Sequence, residues 1–337
     1  MNSERTLMMT AVLIALMMCA VPALGGIADA APGGSSSSSS VTYSGATTIT
    51  SATTQTGQTY SSTTADQNAI LVNLSGDVTL SDITVTKSGD SDGGDSCNFY
   101  GINSAVLAMG GGTVNATAKG ANGVFSYGGN GGSNGTAGDG TTVNITDVTI
   151  VTTGSSGGGI MTTGGGIMNA TDLTVTTSGQ SSAALRTDRG GGTVNAIGGT
   201  YTSNGLGSPA IYCTADITAS AATFVSNLSE GVCIEGQNSV TLKDCTLTAN
   251  NTKTNGNATF YDTIMIYQSQ SGDAADGTST FTMTGGTLTS KNGHVFHVTN
   301  TTSIITLEGV TIVNSDDDSI LLSVATTDGP EPATSLP

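Results

Sequence analysis

The chain of 337 residues has no tryptophan, aromatic residues reach only 4 % and charged residues only 10 %. Basic side chains are scarcest: eight Lys and Arg stand against 25 Asp and Glu, a formal net charge of −17. Nucleic acids and anionic lipid surfaces are recognised through basic patches, so this balance excludes both as partners. Five cysteines in so long a chain do not make a disulfide scaffold. After residue 24 no apolar run is long enough to span a bilayer, and no segment keeps a helical period. What abounds is Thr, Gly and Ser, at 58, 48 and 39 residues. Apolar content is 36 %, and the acidic charge is too dispersed for a disordered acidic tail. Thr, Val and Ile favour extended backbone and Gly supplies turns, so the composition predicts an all-β chain with many turns.

Residues 7–24 form an apolar run broken mainly by Thr10, Cys19 and Pro22, preceded by Arg5 and followed by Ala28-Asp29-Ala30. This pattern predicts a secretory signal peptide removed after Ala30, with an uncleaved anchor as the alternative because Glu4 offsets Arg5. Met18 precedes Cys19 where lipid attachment needs a small residue. The expected location is secreted or cell surface, with no transmembrane segment in the mature chain. Cys97, Cys213, Cys233 and Cys245 remain, and their spacing matches no zinc motif. Three pairings are open to them, and free buried thiols with at most one disulfide are expected. The division read from composition is residues 1–30 as signal peptide, 31–65 as Ser/Thr-rich linker and N-terminal cap, 66–325 as a repeat body and 326–337 as a flexible tail.

The repeat body follows one motif: apolar-x-apolar, two turn residues, then small-or-apolar-Thr-apolar. Its copies start at Val78, Val114, Val143, Met168, Val194, Ile217, Val240, Phe281 and Ile305, the copy at Val114 being degenerate. Most spacings fall between 23 and 26 residues, and the longer ones hold Gly-, Ser-, Asn- and Asp-rich insertions at 89–98, 128–140, 250–257 and 269–280. A further short apolar strand lies in each interval, as in residues 69–72, 160–161, 211–212 and 264–266. A unit of this size cannot bury its own apolar face, whereas stacked units satisfy each other's backbone and align their inward side chains. The expected fold is a single-stranded right-handed parallel β-helix of about nine to ten coils. Val78 to Ile305 would then form one inward column, and Ile150, Val175, Tyr201, Phe224, Leu247, Leu288 and Ile312 another.

The Gly-Gly-Gly-Thr-Val-Asn-Ala runs at 110–116 and 190–196, Thr-Gly-Gly-Thr-Leu-Thr at 284–289 and the recurring apolar-Thr-apolar strands resemble the pectin-lyase-like right-handed β-helix proteins. Within that group the chain looks most like the adhesin-like surface proteins exported by anaerobic bacteria and methanogenic archaea. The resemblance covers about residues 66–325 and implies fold more than function, because one coil type carries lyases, hydrolases, adhesins and spacers.

Polysaccharide-cleaving members of such a fold place acidic groups with Arg or Lys on neighbouring coils. The candidates here are Arg186, Asp188 and Arg189, with Asp172 and Asp216 nearby, although the family's lyase and hydrolase signatures are missing. His294 and His297 are spaced to share one side of a strand and would suit a metal, but no third ligand is evident. No cofactor is expected. Asp82, Asp147, Asp172 and Asp244 recur at one turn, where a carboxylate can accept a backbone N–H two residues on. Nine N-x-S/T sequons are close to what chance gives in a chain so rich in Asn, Ser and Thr.

On the outward side of the second strand, Thr84, Thr149, Thr174, Thr200, Thr223, Thr246, Thr287 and Thr311 form one rank. Thr86, Val151, Thr176, Thr202, Val225, Thr248, Thr289 and Val313 form the next, a flat array resembling the ice-binding face of β-solenoid antifreeze proteins and equally suited to crystalline polysaccharide. The function expected is a secreted or surface-held adhesin-like protein that binds extracellular glycans or proteins through its insertions without catalysis. The alternatives are a polysaccharide lyase or hydrolase, and a lattice binder acting through the Thr array.

Overall fold

Apolar residues alternating with polar ones at period two commit each copy of the motif to extended backbone. The computed structural model describes residues 5–8, 15–16, 41–88, 94–111, 113–121, 123–254, 258–269 and 272–325. The predicted cleavage site and the tail at 326–337 lie outside them. Two short strands, Arg5–Met8 and Ala15–Leu16, run antiparallel to the strands Thr311–Asn314 and Thr302–Glu308.

The chain is a parallel β-solenoid of about ten turns. A typical coil consists of Thr142–Thr146 on a first sheet, Thr149–Thr152 on a second and Ile160–Thr163 on a third. Each strand pairs in parallel with its counterpart one coil away, so Val143 stands opposite Met168, Met168 opposite Val194 and Val194 opposite Ile217. The same backbone register runs from Val78 through Val114 to Ile305, the expected first column. The second column is also in register, with Tyr201 and Phe224 stacked at 5.0 Å between ring centroids. Both columns, with the inward side of the third sheet, form one continuous hydrophobic core.

Sharp corners between the first and second sheets set this register. Asp82, Asp147, Asp172 and Asp244 each hold a positive φ of 52–53° there, and Gly198, Gly285 and Gly309 do the same at 63–65°. Asp tolerates this left-handed region better than most residues and Gly enters it freely. The sequence places these aspartates correctly, but the backbone angle is what selects them: Asp147, Asp172 and Asp244 accept no backbone N–H among the described residues. Glycine has a second use at position 198, where a Cβ would lie 2.0 Å from the Asp172 carboxylate of the preceding coil.

Two departures from the expected regularity stand out. A seven-residue helix, Gly94–Tyr100, starts in the first insertion and runs two residues past it, although the sequence shows no helical period there. The coil Thr113–Ala121 shifts register and sets Lys119 opposite Thr149. Thr84 is therefore not the neighbour of Thr149, and the expected rank of Thr is interrupted at that coil, Thr84 pairing instead with Thr59. From Thr149 to Thr311 the rank continues unbroken.

Candidate functional site

The three sheets treat their outer faces differently. Strands of the first two alternate buried and exposed residues, as in Thr149–Thr152 and Asp216–Ser220, so one side meets solvent. Strands of the third, such as Ile160–Thr163, Val232–Glu235 and Asp262–Tyr267, are buried at every position. Something covers their outer side, and it is the inserted segments.

Arg186 projects outward from Leu185–Thr187, in register with Met161 on one side and Tyr212 on the other. It is 2 % exposed, and Asp188 beside it is 1 % exposed. The Arg186 Nε and Nη2 groups donate to Asp188 Oδ2 at 3.0 and 2.5 Å, and the Arg189 backbone N–H donates to Oδ1 at 2.9 Å. Burial pushes the Asp188 carboxyl up to about 6, with Arg186 pulling in the opposite direction. The guanidinium also lies 5.7 Å from the Tyr212 ring centroid. On the next coils Tyr212 and Tyr267 both donate to Glu235 Oε2, at 2.8 and 3.2 Å, and Ser269 donates to Oε1. Glu235 is 1 % exposed and burial raises its pKa, the three hydroxyls opposing that shift.

Arg189 ties the insertions together. Its guanidinium lies 3.9 Å from the ring centroid of Phe99, in the short helix, and pairs with Asp273, in the last insertion. Thr163 donates to the Phe99 carbonyl at 2.7 Å, and Asn130 donates to the Gly190 carbonyl at 2.8 Å. Asn134 accepts the Gly190 N–H at 3.2 Å and donates to Gly272 O at 3.3 Å, across 138 positions of sequence. Insertions from distant coils thus converge on one side of the solenoid and hydrogen-bond to one another there.

A second buried network holds Asn251 and Phe260. Asp262 Oδ2 lies 2.9 Å from His297 Nδ1, and its Oδ1 accepts from Asn251, whose amide also reaches Glu230 Oε1 at 3.2 Å. The Phe260 ring touches both histidines, with centroids 4.3 Å from His294 and 4.9 Å from His297. Both rings thus meet Phe260, although strand alternation alone would send residues three apart to opposite sides, and a carboxylate invisible in the local sequence, Asp262, joins His297 from the neighbouring coil. No group of three metal-ligating side chains occurs among the described residues. His294 accepts the Ile320 N–H and is shifted below its usual pKa by burial.

The arrangement brings Arg186, Asp188 and Arg189 together as expected. It does not bring Asp172 or Asp216 to them: Asp172 forms a corner between the other two sheets, and Asp216 is exposed on the first, bonded to Ser239. Their actual partners are Asp273, Tyr212 and, through that tyrosine, Glu235. The sequence carried one faint signal for this, an acid or tyrosine closing an apolar run of three, Glu235 after residues 232–234 and Tyr267 after residues 264–266. None of the four described cysteines forms a disulfide, three of them are buried, and burial raises the Cys213 thiol to about 12. That places Cys213 with structural thiols rather than reactive ones.

The fold and these side-chain networks define the class, a parallel β-solenoid with one face sealed by insertions. No protein-family model matches the chain, and no curated protein or solved structure matches it. Among the described residues no helix is long and apolar enough to cross a membrane.

Proposed function

We propose that this is a secreted or surface-held, adhesin-like protein of the pectin-lyase-like right-handed β-helix type, which binds an extracellular glycan or protein through its inserted segments. The observation that carries the reading is the Asn134–Gly272 contact, with Arg189 bridging Phe99 and Asp273, because it fuses insertions from separate coils into one preorganised surface. A solenoid supplies a rigid rod, and insertions clustered on one side of it are the usual place for recognition. Preorganisation lowers the entropy lost on binding. The enclosure of Arg186, Asp188 and Glu235 supports a non-catalytic role, since acid–base chemistry needs a group within reach of substrate.

Glycan and protein arrays probed with the purified mature chain test the reading. Replacing residues 128–140 or 268–277 by a short turn abolishes binding while the circular dichroism of the rod persists. Binding that survives every replacement, or a polysaccharide panel that yields unsaturated or new reducing-end products, overturns it.

A further inference from the structure

The outer face of the second sheet, on another side of the coil, is built differently and does not depend on the insertions. Two ranks of side chains, beginning at Thr149 and Val151, run through seven successive coils to Thr311 and Val313 in unshifted parallel register. Rungs recur about every 4.8 Å, and neighbours along each strand sit about 6.7 Å apart. Every position in the two ranks is Thr or Val, on a chain whose net charge is −17.

The hydroxyls of these ranks are unspent: none takes part in a hydrogen bond among the described residues. Other polar side chains of the same coils are used internally. Thr152 and Thr177, at the ends of second-sheet strands, donate to Gly157 O and Ser182 O, and on the first sheet Asn144, Asn169 and Asn195 form a ladder closed on itself at 2.8 and 2.9 Å. β-Branched side chains are stiff at χ1, so the array is a fixed grid of hydroxyls and methyls. A fixed grid recovers little from a flexible soluble glycan, whose ordering cost cancels the contacts. It gains most from a surface whose own hydroxyls are already periodic. An acidic protein disfavours anionic polymers, and the two ranks, uncharged between the corner aspartates on one side and Lys291 on the other, match a partner without charge.

We infer that this Thr/Val face docks on the surface of a crystalline, uncharged polysaccharide, hydroxyl against hydroxyl, with the flanking coils holding the grid flat. The inference goes beyond the proposed function, since deleting the insertions leaves this face intact.

The test is co-sedimentation of the mature chain with microcrystalline cellulose and with chitin crystallites, beside soluble oligosaccharides and a measurement of ice growth. The wild type is retained by at least one crystal and not by the soluble sugars. Thr200→Lys with Thr246→Lys weakens retention by about tenfold or more, equivalent to one decade in Kd. Thr200→Val with Thr246→Val, which keeps the β-branched shape and the fold, also weakens it, while Thr218→Lys on the exposed face of the first sheet does not. Retention by neither crystal, equal loss in Thr218→Lys, inhibition of ice growth without polysaccharide binding, or a dimer abolished by the lysine pair would each overturn the inference. Crystal binding that persists after the insertions are replaced separates this face from the loop face.

Discussion

The outer faces of the second and third sheets are made by strands of similar length, wound in the same coils and stacked in the same register. Thr174–Thr177 leaves its outward residues in water, while Leu185–Thr187, one strand later, buries all three. The insertions account for the difference. They fall on the third sheet and turn its outer side into a second interior, with Tyr212, Cys233, Met265 and Tyr267 forming a small hydrophobic cluster separate from the main core. Charged groups inside it are enclosed in pairs and networks. A solenoid coil thus sets the inner face by stacking alone, and leaves the outer faces to be specialised independently.

Deleting a charge should break this contrast most visibly. Arg186→Ala strands the Asp188 carboxylate in a dry environment and costs about 3–5 kcal/mol, whereas Thr174→Ala on the open face costs less than about 0.5 kcal/mol. Urea unfolding of the two variants measures both, and equal shifts in midpoint would show that the third sheet's outer face is not enclosed. Acid gives the next effect. Asp188 is raised in the folded protein from 3.8 to about 6, and Glu235 is raised too. The folded state therefore binds protons that the unfolded state releases. This contribution is fully present below about pH 4 and is lost as pH rises through about 6. Thermal stability is accordingly higher at pH 5 than at pH 7.5, and Asp188→Asn flattens the profile. His294, shifted downward and more exposed, opposes this weakly.

Two smaller effects sharpen the picture of the inner face. The Tyr201 hydroxyl is buried with no hydrogen-bond partner among the described residues, and burial raises its pKa. Tyr201→Phe keeps the stack on Phe224 and removes the unsatisfied group, so it should stabilise by about 1 kcal/mol. Ala221 occupies a corner at φ 52°, where the neighbouring coils use Asp or Gly. Ala221→Gly relieves that conformation and gains up to about 1 kcal/mol. Both are read as shifts in unfolding midpoint, and a loss in either case would contradict the corresponding account.

The inner face was legible because its signal is repeated: Val143, Met168 and Val194 occupy equivalent places, and the period alone makes them neighbours. The open face was legible for the same reason, except at the coil Thr113–Ala121, where a register shift leaves no trace in residue spacing. The sealed face was mostly hidden. In Asp262–Tyr267 both sides of the strand are buried, so alternation cannot tell inward Ile264 from outward Met265. Its partners come from insertions without periodicity, which is why Arg186 and Asp188 stood out as rare charges while Glu235, Tyr212 and Asp273 did not.

Native cysteine chemistry offers the most direct test of the sealed face against the open one. Cys233 lies outward on the third sheet, in register with Tyr212 and Met265 and 1 % exposed, whereas a cysteine placed at position 200 would stand on the open array. Alkylation under native conditions, resolved by peptide mass spectrometry, should modify Thr200→Cys at the rate of a free thiol and leave Cys233 protected until the protein unfolds. Labelling of Cys233 as fast as the engineered residue would mean that the insertions do not close over that sheet, and would contradict the account.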